Sequence, residues 1–383
     1  MHKLERLDRF LETRALSSVW FARPNSFVWF SGGRNVVDRE SPVGVGALGY
    51  DGEQVTLLAD NIELKRLREE ELPDLEGVPV RQQSFDWYEG SLPAAIADTA
   101  SQPAGADIEV PGLEEIDPAA LRQPLTETDI ERYRRLGRET AAAVEAVCRE
   151  LEPDDAEDEV RAALTVSLAA RNIEAPVVLV GGAARAQRFR HYTPTSTSFG
   201  EYALVSVTTE RHGLHASCTR AVAFDPPSWL GERHHAAARV ETTALAATQA
   251  AASTDGTAGD VFADIQAAYA GLGYDGEWKA HHQGGAAGFA GREWIGTPTL
   301  ERSVRTPMAY AWNPTVQGAK SEDTVLVSDD GYEVLTQTGD WPTVTVGAVS
   351  DAVGTHLEDG MRIDEETRGL ELERPAVLGL ENG

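Results

Sequence analysis

The stretch Lys320-Ser321-Glu322-Asp323-Thr324-Val325-Leu326-Val327, followed by Gly331-Tyr332-Glu333-Val334-Leu335-Thr336, decides how this chain is read. Its apolar and β-branched residues predict strands over 323–327 and 332–335. Lys320 and Glu322, two apart in extended chain, face one side. Upstream lies Trp312-Asn313-Pro314, closing a strand predicted over 308–313. Two more polar clusters join these. One is Arg190-His191-Tyr192-Thr193-Pro194 with Gly200-Glu201-Tyr202-Ala203-Leu204-Val205-Ser206, and the other is His281-His282-Gln283-Gly284-Gly285 with Gly291-Arg292-Glu293. A single His is most often a satisfied structural residue. Two adjacent His before a Gly pair point further, because glycine permits close approach of backbone or ligand. Lys320, Glu322 and His282 together make a candidate polar pocket.

Outward from these clusters the chain reads as two domains, the usual division at 383 residues. Residues 1 to about 120 alternate helix and strand signals. They comprise an amphipathic helix over 4–16, strands at 18–22 and 26–30, a turn at Gly32-Gly33, strands near 44–49 and 54–58, and a helix over 61–71. The Ala-, Pro- and Gly-rich 92–117 closes this α/β domain. A second domain spans 121–350. A helix starts near Thr126 or Thr128 in a capping-box pattern, a second follows Pro153, and a strand over 176–180 ends in Gly181-Gly182. A hairpin at 202–207 and 213–224 precedes two Ala-rich helices, near 234–252 and 259–271. Residues 351–383 read as an acidic surface extension, with a strand at 375–380 as the alternative. No tandem short repeat or low-complexity linker is visible.

Composition narrows the function. Asp and Glu number 62 against 34 Lys and Arg, for a net charge of −28, and no basic stripe offers a phosphate footprint. Nucleic acid is therefore not expected as a partner. No apolar run approaches the roughly 18 residues of a membrane span, and MHKLERLDRF is charged too early for a signal peptide. The expectation is a soluble cytoplasmic protein with no membrane contact. Only Lys3, Lys65, Lys279 and Lys320 are lysine among the 34 basic residues. A GC-rich genome also trades Lys for Arg, but not for an acidic excess, so a halophilic source is expected. Cys148 falls on the apolar stripe of a helix and Cys218 in a strand, so both are expected as free buried thiols.

At these clusters the sequence resembles the creatinase, aminopeptidase P and prolidase superfamily (peptidase family M24), whose catalytic domain has the pita-bread fold. The markers are His191-Tyr192-Thr193, Thr219-Arg220 after a Gly-containing hairpin, Glu322-Asp323-Thr324 and Gly331-Tyr332-Glu333-Val334-Leu335-Thr336. The resemblance covers nearly the whole chain, including the accessory domain with Asn61-Ile62-Glu63 and Arg66-Leu67-Arg68-Glu69-Glu70. It implies an α/β N-terminal domain, an α+β pita-bread C-terminal domain and a homodimer.

Peptidases of this superfamily hold two divalent metals with two Asp, one His and two Glu. The positions implied here are Ser206, Ser217, His282 (or His281 in another register), Asn313 and Glu322. Only one carboxylate survives. Four positive charges cannot be met by it, and Ser is a poor ligand for hard cations. No metal or other cofactor is expected.

What remains resembles the metal-free branch typified by creatinase. The resulting expectation is a metal-independent hydrolase of a C–N bond in a small carboxylate-bearing compound. His191 would be general acid/base, and His282 and Glu322 would orient substrate or water. Asn313 would donate an amide hydrogen bond and Arg292 would clamp a carboxylate. Lys320 would supply charge where metal is missing or pair with Glu322, and His281 would contact substrate. Cys218 as nucleophile is the weaker option, since nothing marks its thiolate as stabilised. Two alternatives stand beside this reading: an Xaa-Pro aminopeptidase or dipeptidase-like enzyme with an unusual site, and a non-catalytic ligand-binding protein.

Overall fold

Leu7 and Leu11 lie on one face of the helix Lys3–Arg14 and are buried beneath it, as the spacing of the first sixteen residues predicts. The structure is a computed structural model and describes residues 3–355 and 363–380. It divides into two units, residues 1–126 and 127–383. The expected boundary near 120 moves to 126, because Leu121 and Leu125 are buried and Arg122 bonds Ser26 within the first unit.

The first unit is built on one sheet. Its strands are β1 (Ser18–Phe21), β2 (Gly46–Tyr50), β3 (Val55–Asp60), β4 (Val80–Phe85), β5 (Ala104–Ala106) and β6 (Glu114–Glu115), in the order β4-β3-β2-β1-β5-β6. The pairs β1–β2 and β2–β3 are antiparallel; β3–β4, β1–β5 and β5–β6 are parallel. One expected strand is corrected: residues 26–30 belong to a helix, Pro24–Ser31. All of Ser26–Ser31 is buried, so the run has no polar face from which to read a period. Pro24 in the first turn and left-handed Gly32 at the C-cap, φ 78°, decide for helix.

The second unit is made of helices packed on antiparallel sheets. Helices Glu127–Cys148 and Glu157–Ala169 cover the sheet of β7 (Glu174–Gly182), β8 (Tyr202–Arg211) and β9 (Leu214–Ala223). Val144, Cys148, Val160 and Leu164 pack there against Val180, Val205, Val207 and Cys218. Both cysteines are free and buried. Helix Leu230–Ser253 packs on helix Ala258–Gly271, the latter started by a Thr257–Asp260 capping box. Beside them run β10 (Gly284–Ala287), β11 (Met308–Trp312), the short pair β12 (Thr315–Val316) and β13 (Ala319–Lys320), β14 (Val325–Ser328) and β15 (Gly331–Val334). The sheet order is β10-β11-β14-β15. No described helix is long and apolar enough to cross a membrane.

The tail departs from expectation. Of residues 351–383, expected as an acidic surface extension, the described stretch 371–377 docks on the second unit. β17 (Glu371–Pro375) pairs antiparallel with β16 (Thr343–Gly347), and Ala376 and Val377 are buried. Arg374 is fully buried, donating to Glu241 Oε1 at 2.5 Å and Asp323 Oδ2 at 2.8 Å. Glu371 and Glu373 are on the exposed side of this strand, which meets the expected strand at 375–380 only at Pro375.

Candidate functional site

Glu322 is set by its neighbours' backbone. Thr219 N–H donates to the Glu322 carbonyl at 2.9 Å, and Thr324 Oγ1 bridges the N–H and C=O of Ser217. Lys320 ends β13 and Glu322 lies beyond it, so the two do not share a strand as expected. Lys320 Nζ nevertheless donates to Glu322 Oε2 at 2.8 Å. The other oxygen, Oε1, accepts from Arg292 at 2.9 Å, and Thr219 Oγ1 donates to Oε2 at 3.0 Å. Burial pushes the Glu322 carboxyl up, but Lys320 and Arg292 outweigh it and hold the group below the usual carboxylate range.

Ser206 and Ser217 stand on adjacent strands of the β8–β9 hairpin. The register opposes Ser206 to Thr219 and Thr208 to Ser217, and each pair shares a cross-strand hydrogen bond, at 2.8 and 2.9 Å. Tyr192 and Ser206 are hydrogen-bonded at 2.9 Å. Lys320 Nζ reaches Ser206 Oγ at 3.5 Å, and Arg292 donates to Ser217 Oγ at 3.2 Å. Each of the two cations thus joins Glu322 to one serine.

The three histidines converge separately. His191 precedes β8, and His281 and His282 precede β10. Gly284 and Gly285 give this turn its closeness to protein backbone, not to ligand: a Cβ at Gly285 would sit 2.2 Å from the Trp294 carbonyl. His191 and His281 meet Nε2 to Nε2 at 3.2 Å, and the His281 and His282 rings stack at 4.4 Å. His281 is buried, while His191 and His282 are exposed. Burial first, then Lys320 and the neighbouring rings, pushes His281 down to about 2. His282 falls to about 4 through loss of solvent, then Arg292 and Lys320. His191 is lowered by burial and Lys320 against an opposing pull from Glu322. All three imidazoles are neutral at pH 7. They line a cavity of about 480 Å³ together with Phe262, Trp278 and Ile295.

The sequence-derived residues therefore form two linked groups. His191, His281 and His282 face the cavity, and both members of the His pair do so. Lys320, Glu322 and Arg292 are not among the cavity's lining residues and form an ion cluster with Ser206 and Ser217. Arg292 is no open carboxylate clamp: its NH1 also donates to the Gly291 carbonyl at 2.7 Å. Asn313 is buried, its N–H bonded to the Gln283 carbonyl and its Oδ1 without a partner. Cys218 is inert, its thiol pushed up by burial. Sequence reasoning missed Trp278 and Phe262, an edge-to-face pair at 5.5 Å, although Trp278 stands three residues before the His pair. Arg190, which heads the His191 cluster in the sequence, pairs with Glu277.

The two-metal centre implied by the resemblance does not fit these donors. Ser206 and Ser217 offer neutral hydroxyls already engaged, and both oxygens of Glu322 are held by cations. Two ammonium or guanidinium charges stand where divalent ions would need carboxylates.

Comparison with known proteins supplies the lineage. Over 360 residues, 88% of this chain and 98% of the relative, it is 23% identical to the Xaa-Pro dipeptidase of Pyrococcus furiosus. The prolidase structure from the same organism superposes with a TM-score of 0.70 at 18% identity, covering 86% of this chain and 99% of that one. The N-terminal domain of the FACT complex subunit SPT16 from Cicer arietinum (chickpea) gives 0.64 at 11% identity, covering 88% and 96%. The fold is the pita-bread fold preceded by an N-terminal domain, as expected. The Xaa-Pro dipeptidase relative favours the Xaa-Pro peptidase alternative over the creatinase-type reading. The model of metallopeptidase family M24 matches residues 131–329, half of the chain, and the chain belongs to that family.

Proposed function

We propose that this chain hydrolyses the C–N bond of small carboxylate-bearing compounds, Xaa-Pro dipeptides first among them, without the metal pair of its family. One observation carries the reading: Lys320 and Arg292 occupy the two oxygens of Glu322, the one carboxylate left among the implied ligands. Lys320 and Arg292 do not line the cavity, but their charge reaches its histidines, and that positive field suits a substrate carboxylate. The dipeptide class rests on the Xaa-Pro dipeptidase relative.

The chemistry falls to His191. Neutral at pH 7, it takes a proton from water as the water oxygen bonds to the amide carbon. The C–N bond then breaks and His191 returns that proton to the leaving nitrogen, so none is gained or lost. His281 orients the ring through the 3.2 Å Nε2 contact, one nitrogen donating and the other accepting.

Turnover of Xaa-Pro dipeptides in the presence of a chelator tests this. His191→Ala should lower kcat by about 10²–10⁴-fold, with a smaller change in KM because the Lys320–Arg292 charge stays. Unchanged turnover in that variant overturns the role of His191. An inert chelated protein that two added Mn²⁺ or Co²⁺ ions restore overturns the metal-free reading. Tight dipeptide binding without cleavage replaces the enzyme with a ligand-binding protein.

A further inference from the structure

The three histidines have a second chemistry available. Their ligand nitrogens all lie within 4.8 Å of one another, the one such His, Cys, Asp or Glu group found among the described residues. A tetrahedral ion with nitrogen bonds near 2.0–2.1 Å sets its ligands roughly 3.3 Å apart. The His191–His281 separation of 3.2 Å already meets that. His282, exposed and stacked on His281, would have to turn its ring to close the remaining gap. The adjoining cavity leaves an open position for water or an anion.

We infer that His191, His281 and His282 bind one transition-metal ion of the Zn²⁺ class, at a three-histidine site that shares the implied family histidine at 281–282 but uses none of the other implied positions. The surroundings choose the ion. Lys320 and Arg292 around Glu322, with Arg190 paired to Glu277, leave no carboxylate free for a hard cation. Mg²⁺, Ca²⁺ and Mn²⁺, which need oxygen ligands, are disfavoured, whereas Zn²⁺, Ni²⁺ and Cu²⁺ accept neutral imidazole. The excess positive charge draws an anion such as hydroxide or chloride to the open position. Resting on the proposed function, one consequence follows: a metal on the His191 lone pair stops it from carrying a proton. Here the ion inhibits where in a metallopeptidase it would activate.

Chelator-treated full-length protein titrated with Zn²⁺ and Co²⁺, by calorimetry and by the visible absorption of Co²⁺, tests the site. One ion per chain should bind, with cobalt bands marking nitrogen coordination. His281→Ala should weaken binding by about 100-fold, at or beyond the loss seen when only outer-shell partners go. His282→Gln, at an exposed position, is the variant to read should His281→Ala fail to fold. Mg²⁺ is the counter-probe, because a −28 chain collects divalent ions on surface carboxylates. No Zn²⁺ binding, or binding that Mg²⁺ reproduces or both variants leave unchanged, overturns the site. If dipeptides are cleaved, Zn²⁺ should suppress turnover and chelator restore it. Zinc-stimulated cleavage would refute inhibition and the metal-free mechanism while leaving the site itself standing on the binding data.

Discussion

His281 concentrates the electrostatics of the site in one ring. It is 8% exposed and faces the positive charge of Lys320, so its protonated form is strongly disfavoured in the fold. The unfolded chain protonates it below about 6.5. The sign follows: stability from this group is fully present above 6.5 and declines as the pH falls from there toward the folded value near 2. Urea unfolding should show wild type losing about 1–2 kcal/mol more than His281→Gln between pH 7.5 and pH 5. Equal losses would mean that the ring takes its proton without hindrance in the native state. Arg292 makes a related point. A guanidinium was legible as a carboxylate partner, but the carboxylate it holds is the chain's own Glu322.

At the scale of elements, β17 does more than close the chain. Its Arg374 threads between Glu241 of helix Leu230–Ser253 and Asp323, beside Glu322. Arg220 of β9 completes the buried cluster through Glu145 at 3.0 Å and Asp323 at 3.0 Å. Glu241 is tied to the same segment, accepting from Ser321 Oγ at 2.5 Å and Asp323 N–H at 3.0 Å. Removing one member strands the others. Arg374→Met should cost about 3–5 kcal/mol in chemical denaturation, the usual loss when a buried pair is broken. A loss under about 1 kcal/mol would show that the tail's anchor is dispensable. Nothing in the local pattern announced this, since Arg374 is 133 residues from Glu241 and 51 from Asp323.

Across the whole molecule the dominant feature is the charge of −28. Its self-repulsion opposes the compact state and is screened over roughly 10 Å at 0.1 M salt but 3 Å at 1 M. Raising KCl from 0.1 to 2 M should therefore lift Tm by roughly 5–10 °C, equivalent to a few kcal/mol for chains of this size. Differential scanning calorimetry checks it. A flat response would show that ion pairs such as Arg134–Glu333, which added salt weakens, cancel the relief of repulsion.

By itself the sequence determined the β8–β9 hairpin and the long helices, because alternation and helical spacing are local properties. Ser206, Ser217 and Asn313 are non-carboxylate residues in any fold. Three other matters belonged to tertiary structure. The run 26–30 carried no readable period because it is buried on every side, and its helix is set by Pro24 and Gly32. The histidine pair 281–282 shares its cavity with His191, which arrives from a segment ninety residues away from His281. Arg292 became a partner of Glu322, not of substrate, because folding brought it against the Lys320–Glu322 segment thirty residues away in one buried cluster, where each charge is costly unless paired.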